Sequence, residues 1–331
     1  MRNLNSISIL RISSMLLIIV FHSLCFYTDN WWFFHTDTIP IWRIIALPTV
    51  KVGLSTFFLI SGFLFGYLHL EKGKYRITSI FIKNKTQRII VPYIIWSVYM
   101  AATFPFIPWH DFFIGTAHLW FLLTLFELFI IIIALNKLSI CDTNPYIDFL
   151  ITALSFIVLY AWQRLDHHYI LSIENTLYYL PAFMIGFYCA KYQLHNSSKR
   201  KTSIFIFLTC IILLFILSYL SFTENTSIGI DLAVRITSCA AAASALVMTN
   251  NIKIPNKCIS IINNLDYNSM GIYIFNQIVV FIILLIPTSR QYLEVHYLIG
   301  PFIIFFISFI IPWGLAILFN NTKFLSWMIG S

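Results

Sequence analysis

The first candidates for chemistry in this chain are charged and titratable side chains set inside apolar runs. They are Arg11, His22, Glu127 and the pair Asp231 and Arg235. On insertion scales a charge at the centre of a membrane helix costs about 2.5–3.5 kcal/mol, so residues kept there are functional candidates by default. Arg11 and His22 stand eleven residues apart in one apolar run. On a helix that is about three turns, so both project from one face, about 16 Å apart along the axis. A guanidinium at one end and a titratable imidazole toward the other could line a single internal cavity. The plainer readings are that Arg11 snorkels to the interface and that His22 is an interfacial histidine. Glu127 falls near the middle of another run, where an unpaired carboxylate is strongly penalised. Pairing with Arg11 is within its expected reach, either for catalysis or as a packing ion pair. Asp231 and Arg235, at i,i+4, read as a local salt bridge.

Two further segments carry polar chemistry. His118-Leu119-Trp120-Phe121 opens an apolar run; it is either an aromatic belt or a polar group placed at a cavity mouth. Lys83-Asn84-Lys85-Thr86-Gln87-Arg88 is basic. It reads as a topology signal facing anionic lipid, or as a site for a phosphorylated ligand. The chain holds no G-x-S-x-G, P-loop, H-E-x-x-H or G-x-G-x-x-G motif. Cys25, Cys141, Cys189, Cys210, Cys239 and Cys258 form no C-x-x-C pair and no zinc-type spacing with His. Neither a disulfide nor a metal is expected.

Composition dictates what must position these residues. Of 331 residues, 59% are hydrophobic and 10% charged, against about 25% charged in a soluble globular domain. The surface of a soluble fold could not be covered by so little charge. Phe (32), Tyr (17) and Trp (9) suit lipid contact and interfacial belts. The net charge of +8 sits in short loops between apolar runs, the positive-inside pattern, so nucleic acid is rejected as a partner and the lipid bilayer takes its place. The expected fold is all-α, polytopic, a single domain over 1–331.

About ten runs approach the length of roughly 20 residues that a crossing needs. They are Ser6–Tyr27, Val50–His69, Arg88–Phe106, His118–Leu135, Tyr146–Trp162, Asn175–Cys189, Ser203–Leu220, Ile228–Met248, Ser269–Ile286 and Tyr297–Phe319. The first carries Arg11 and lacks a small-x-small cleavage site, so it is expected to stay as a membrane helix. One set of loops holds Lys72, Lys74, Arg76, Lys83, Lys85, Lys137, Lys191, Lys199, Arg200, Lys201, Lys253 and Lys257. The alternate set holds Arg43, Lys51, Arg164, Arg235 and Arg290. This bias, with Arg2 and Lys323 on one side, places both termini in the cytoplasm.

In order along the chain, these residues resemble the membrane-bound acyltransferase-3 family, bacterial ten-helix proteins of which many O-acetylate cell-surface glycans. Leu10-Arg11 with His22 resembles the family's opening, and Val52-Gly53-Leu54-Ser55-Thr56-Phe57-Phe58-Leu59-Ile60-Ser61-Gly62-Phe63-Leu64 its V-x-x-F-F-x-I-S-G-F-L stretch. Lys85 to Pro92 is similar to its R-x-x-R-I-x-P region, and His118-Leu119-Trp120-Phe121 with Glu127 to its H-L-W-F and following acid. Leu180 to Gly186 resembles its P-x-F-x-x-G helix, and Ser269 to Phe275 its S-x-G-I-Y segment. The chain departs from the family pattern in three places. Ser8 and Ile9 stand where an aspartate is common, Lys85 replaces an Arg, and Asn276 stands where many members carry His.

The resemblance implies transfer of an acyl group, usually acetyl from cytoplasmic acetyl-CoA, to a sugar hydroxyl. The acceptor would be a lipid-linked or growing glycan such as O-antigen, capsule or exopolysaccharide, and the enzyme a multi-pass protein of the bacterial inner membrane. In that scheme His22 is the base. Arg11 and Glu127 join it, Lys83, Lys85 and Arg88 hold the CoA phosphates, and His118 and Trp120 face the acceptor. A glycan or lipid-linked-sugar flippase, and the same fold moving succinyl or another acyl group, remain alternatives on sequence.

Overall fold

The computed structural model describes residues 4–28, 30–31, 34, 38–73, 78–137, 144–164, 171–194, 199–223, 227–250, 252 and 254–330. Arg2, Lys74, Arg76, Cys141 and Lys253 lie outside the described residues. Every regular element among those described is helical. This is an all-α membrane protein.

The chain divides into two compact units, Met1–Phe57 with Ser197–Lys323, and Phe58–Asn196 with Phe324–Ser331. In the first unit, α1 (Leu4–Cys25) and the opening of α2 (Pro40–Gly66) are joined by α9 (Arg200–Thr223), α10 (Ile228–Thr249), α11 (Asn256–Leu285), α12 (Pro287–Val295) and α13 (Gly300–Asn321). Ile12, Met15 and Ile19 of α1 pack with Ile272 of α11 and Ala316 of α13. Ser14 donates its hydroxyl to the Gly53 carbonyl, tying α1 to α2. Outside the spans, the Tyr27 hydroxyl donates to the Leu293 carbonyl at 3.2 Å. Burial, and then the Glu294 carboxylate, push that phenol's pKa up.

In the second unit, the remainder of α2 continues through a wide turn, Tyr67–Glu71, and is followed by α3 (Thr78–Lys85) and α4 (Val91–Thr103), which are joined by a second wide turn, Thr86–Ile90. Then come α5 (Asp111–Ile114), a 3-10 turn (Ala117–Leu119), α6 (Trp120–Lys137), α7 (Pro145–Gln163), α8 (Ile173–Lys191) and the short α14 (Lys323–Ser326). α2 and α8 cross with backbones nearly touching. A Cβ on Gly62 would run into the Phe183 carbonyl, and one on Gly186 into the Leu59 carbonyl. Small residues at a crossing let membrane helices gain close van der Waals contact where the hydrophobic effect gives none.

Among the described residues, eight helices are long and apolar enough to cross a membrane. The expected crossings over Arg88–Phe106 and Asn175–Cys189 are helical but do not reach that standard. The wide turn breaks the first at Thr86–Ile90, and α8 opens on Glu174, Asn175 and Thr176. The expected crossing Ser269–Ile286 starts thirteen residues too late, since α11 begins at Asn256. Residues 256–267 of α11 are exposed or half-buried, and burial begins at Asn268; 78% of its apolar stretch is buried inside the protein, against 22% for α9.

Candidate active site

α1 and α11 are joined by two polar rungs. At one, Arg11 Nη1 lies 2.6 Å from Asp266 Oδ1, and the Ser8 hydroxyl donates to Asp266 Oδ2 at 2.8 Å. At the other, His22 Nδ1 lies 2.6 Å from Asn276 Oδ1. Residue numbers rise together along the two helices, so they run parallel. The spacing is eleven residues on α1 and ten on α11, close to three turns on each, which keeps the two rungs on one face.

The second rung fixes the chemistry of the imidazole. Asn276 Nδ2 donates to the Ser308 carbonyl of α13 at 2.9 Å. A carbonyl can only accept, so the amide NH2 must face Ser308 and Oδ1 must face His22. Oδ1 in turn accepts, so Nδ1 of neutral His22 carries the proton and Nε2 carries the basic lone pair. His22 is 6% exposed and Asn276 1%. The Trp31 ring lies 6.4 Å from the imidazole and is itself packed edge-on against Phe281 at 5.2 Å. The imidazole therefore sits among protein groups, with a polar anchor, and does not face acyl chains. This arrangement suits a general base.

The second unit holds the remaining expected site residues. Glu127 of α6 accepts the Ser172 N–H at 2.9 Å and the Thr176 hydroxyl at 2.5 Å. The Thr124 hydroxyl donates to Ser172 Oγ at 2.9 Å. Glu127 thus pins the start of α8 to α6, and its partners lie within its own unit, while Arg11 is held by Asp266 in the other. Each of the two residues therefore has charged or polar partners inside its own unit. His118 is buried in the 3-10 turn before α6. That turn is entered through Gly115 at φ +116, where a Cβ would strike Trp120. Trp120 stacks on Tyr179 (5.9 Å), whose ring also stacks on Phe58 (4.6 Å).

Lys83 and Arg88 are exposed, whereas Lys85 is half-buried. The Lys85 ammonium lies 4.1 Å from the Phe129 ring centroid and 5.5 Å from that of Phe81, a cation–π setting. Lys83 and Arg88 fit phosphate oxygens as exposed cations do; Lys85 is in part committed to the rings. Asp231 is half-buried and Arg235 is 1% exposed.

Sequence reasoning missed Asp266 as the partner of Arg11, because it fell before the expected start of the ninth crossing. It noted Asn276 only as a departure; the signal was its place just after the S-x-G-I-Y segment, ten residues after Asp266. Ser172 and Thr176 gave no signal, since a backbone N–H and a hydroxyl leave no mark in spacing.

A family model described as an acyltransferase domain, acyltransferase 3, matches residues 4–320. No curated protein and no solved structure matches the chain.

Proposed function

The chain belongs to the acyltransferase 3 family, and we propose that it moves an acetyl group from acetyl-CoA to a hydroxyl of a cell-surface glycan, as a multi-pass protein of the bacterial inner membrane. It is an acyltransferase by family; the donor, the acceptor and the roles of the site residues are our reading. We treat residues 1–331 as one functional domain, since the family match runs through both compact units.

The observation that supports this reading best is the anchored imidazole, whose Nδ1–H is held by Asn276 so that Nε2 carries the basic lone pair. A sugar hydroxyl is a weak nucleophile at neutral pH and needs its proton removed as it attacks. His22 takes that proton at Nε2 while the hydroxyl oxygen bonds to the acyl carbon. It then returns the proton to sulfur as the C–S bond breaks, so the imidazole ends neutral. Bound acetyl-CoA supplies the activated thioester. Lys83 and Arg88 hold its phosphates from the exposed basic face, and Lys85, resting on Phe129 and Phe81, adds charge beside them. Arg11, fixed by Asp266, keeps α1 in register so that His22 faces the reacting atoms. Glu127 sets the start of α8. His118 and Trp120 belong to the acceptor side.

The test has two arms. The purified protein is given acetyl-CoA and polysaccharide from a strain deleted for it, and thiol release is followed. Release that requires both components supports transfer; a flippase releases none. NMR of the surface polysaccharide of that strain should show the loss of one O-acetyl signal. If every acetyl signal persists, the glycan reading fails.

A further inference from the structure

Within the second unit, a cavity of ≈ 250 Å³ opens at the end of the helix bundle where α6 and α8 begin and α7 ends. Its wall includes Asp111, Trp120, Trp162, Ser172, Glu174 and Asn175. It lies below the roughly 300–1,000 Å³ of sites that take drug-sized ligands, so it has room for one ring and not for a chain.

The polar groups of this wall are oriented. The Gln163 amide donates to Glu174 Oε1 at 2.7 Å, which leaves Oε2 to face another donor. His110 lies 3.4 Å from Asp111 Oδ1, which leaves Oδ2 likewise. Asn175 Nδ2 and the Thr124 hydroxyl both donate to Ser172 Oγ, at 3.1 and 2.9 Å. Glu127 lies directly behind the wall, through its bond to the Ser172 N–H. Trp120 is braced from behind by the Tyr179 ring, so its indole is held as a platform.

We propose that this cavity docks a single pyranose ring of the acceptor. The inference rests on the acyltransferase reading and assigns Trp162, Glu174, Asp111 and Asn175 to acceptor binding alongside Trp120. Sugars carry hydroxyls at their edges and C–H groups on their faces. The edges suit fixed carboxylate and amide oxygens, and the faces suit indole rings. A quaternary cation also fits indoles and carboxylates. Here, however, the Gln163 amide already holds one oxygen of Glu174, Asp111 sits beside the exposed His110 imidazole, and a neutral amide and a hydroxyl complete the wall, which favours a neutral ligand with many hydroxyls. α6 also separates this end from the basic end: from Trp120 to Lys137 the helix rises about 25 Å. The acidic, aromatic mouth and the exposed Lys137 therefore lie at opposite ends of one helix, with Lys85 against Phe129 between them.

The test uses the full-length protein in nanodiscs and saturation-transfer NMR. The probes are the methyl glycosides of hexoses, 6-deoxyhexoses and N-acetylhexosamines, with choline as a cationic control. At least one glycoside should show transfer that falls at least fivefold in Trp162→Ala and Glu174→Gln and is restored in part by Trp162→Phe. In turnover, Trp162→Ala should raise the acceptor KM about tenfold while kcat and the acetyl-CoA KM move by less than threefold; a merely structural tryptophan would lower kcat or yield instead. The inference is overturned if no glycoside signal depends on Trp162 and Glu174, or if choline alone gives that dependence. If wild-type protein never releases CoA with glycan while the glycoside signals behave as expected, the acetyltransfer reading fails and the sugar site stands. If release occurs and Trp162→Ala leaves the acceptor KM unchanged, the reverse holds.

Discussion

His22 Nδ1 and Asn276 Oδ1 sit 2.6 Å apart between α1 and α11, and the same Asn276 amide is locked by the Ser308 carbonyl of α13. One side chain therefore selects the imidazole tautomer and holds its ring. The orienting acceptor for the imidazole thus comes from a neutral amide.

Replacing that acceptor should separate orientation from binding. Asn276→Leu keeps the bulk and removes Oδ1. It should lower kcat on the order of 10²-fold, the scale of a misdirected base, with the acetyl-CoA KM within threefold of wild type. Steady-state thiol release measures both; an unchanged kcat would remove Asn276 from a positioning role.

Loss of the base itself should be deeper. His22→Ala is expected to lower transfer by about 10²–10⁴-fold while protein abundance in membranes stays near normal. Polysaccharide acetylation and immunoblotting of the membrane fraction read the two quantities.

The other rung is a structural claim and has a structural test. Arg11→Asp and Asp266→Arg should each lower thermal stability in detergent, since a partly buried charge loses its partner. A charge-assisted bond of this kind contributes about 1.5–3 kcal/mol. The double swap should recover most of the loss, read by size-exclusion profiles after heating. A double variant no better than the worse single one would argue against a direct pair.

The basic face predicts a donor effect. Lys83→Ala with Arg88→Ala should raise the KM for acetyl-CoA several-fold and blunt its dependence on salt, with the acceptor KM unmoved. Lys85→Ala should also cost yield, because its ammonium covers the Phe129 and Phe81 rings.

The α2–α8 crossing predicts intolerance to one carbon. Gly62→Ala and Gly186→Ala place a Cβ against a backbone carbonyl that has no rotamer by which to yield. Each should reduce the yield of monodisperse protein in detergent far more than an alanine at Gly314, where a Cβ meets open space.

The sequence by itself determined the all-helical membrane class, because charge too sparse to cover a soluble surface is a property of composition. It also picked out Arg11 and His22 as sharing a face, because helical period turns spacing into direction. Pairing needed the tertiary structure. Asp266 and Asn276 became partners of Arg11 and His22 only because α11 packs alongside α1, and a hydropathy reading cannot tell a polar residue facing lipid from one facing another helix. Glu127 shows the same limit from the other side: its partners are the Ser172 N–H and the Thr176 hydroxyl, forty-five and forty-nine residues away, and only the packing of α6 on α8 brings them to it.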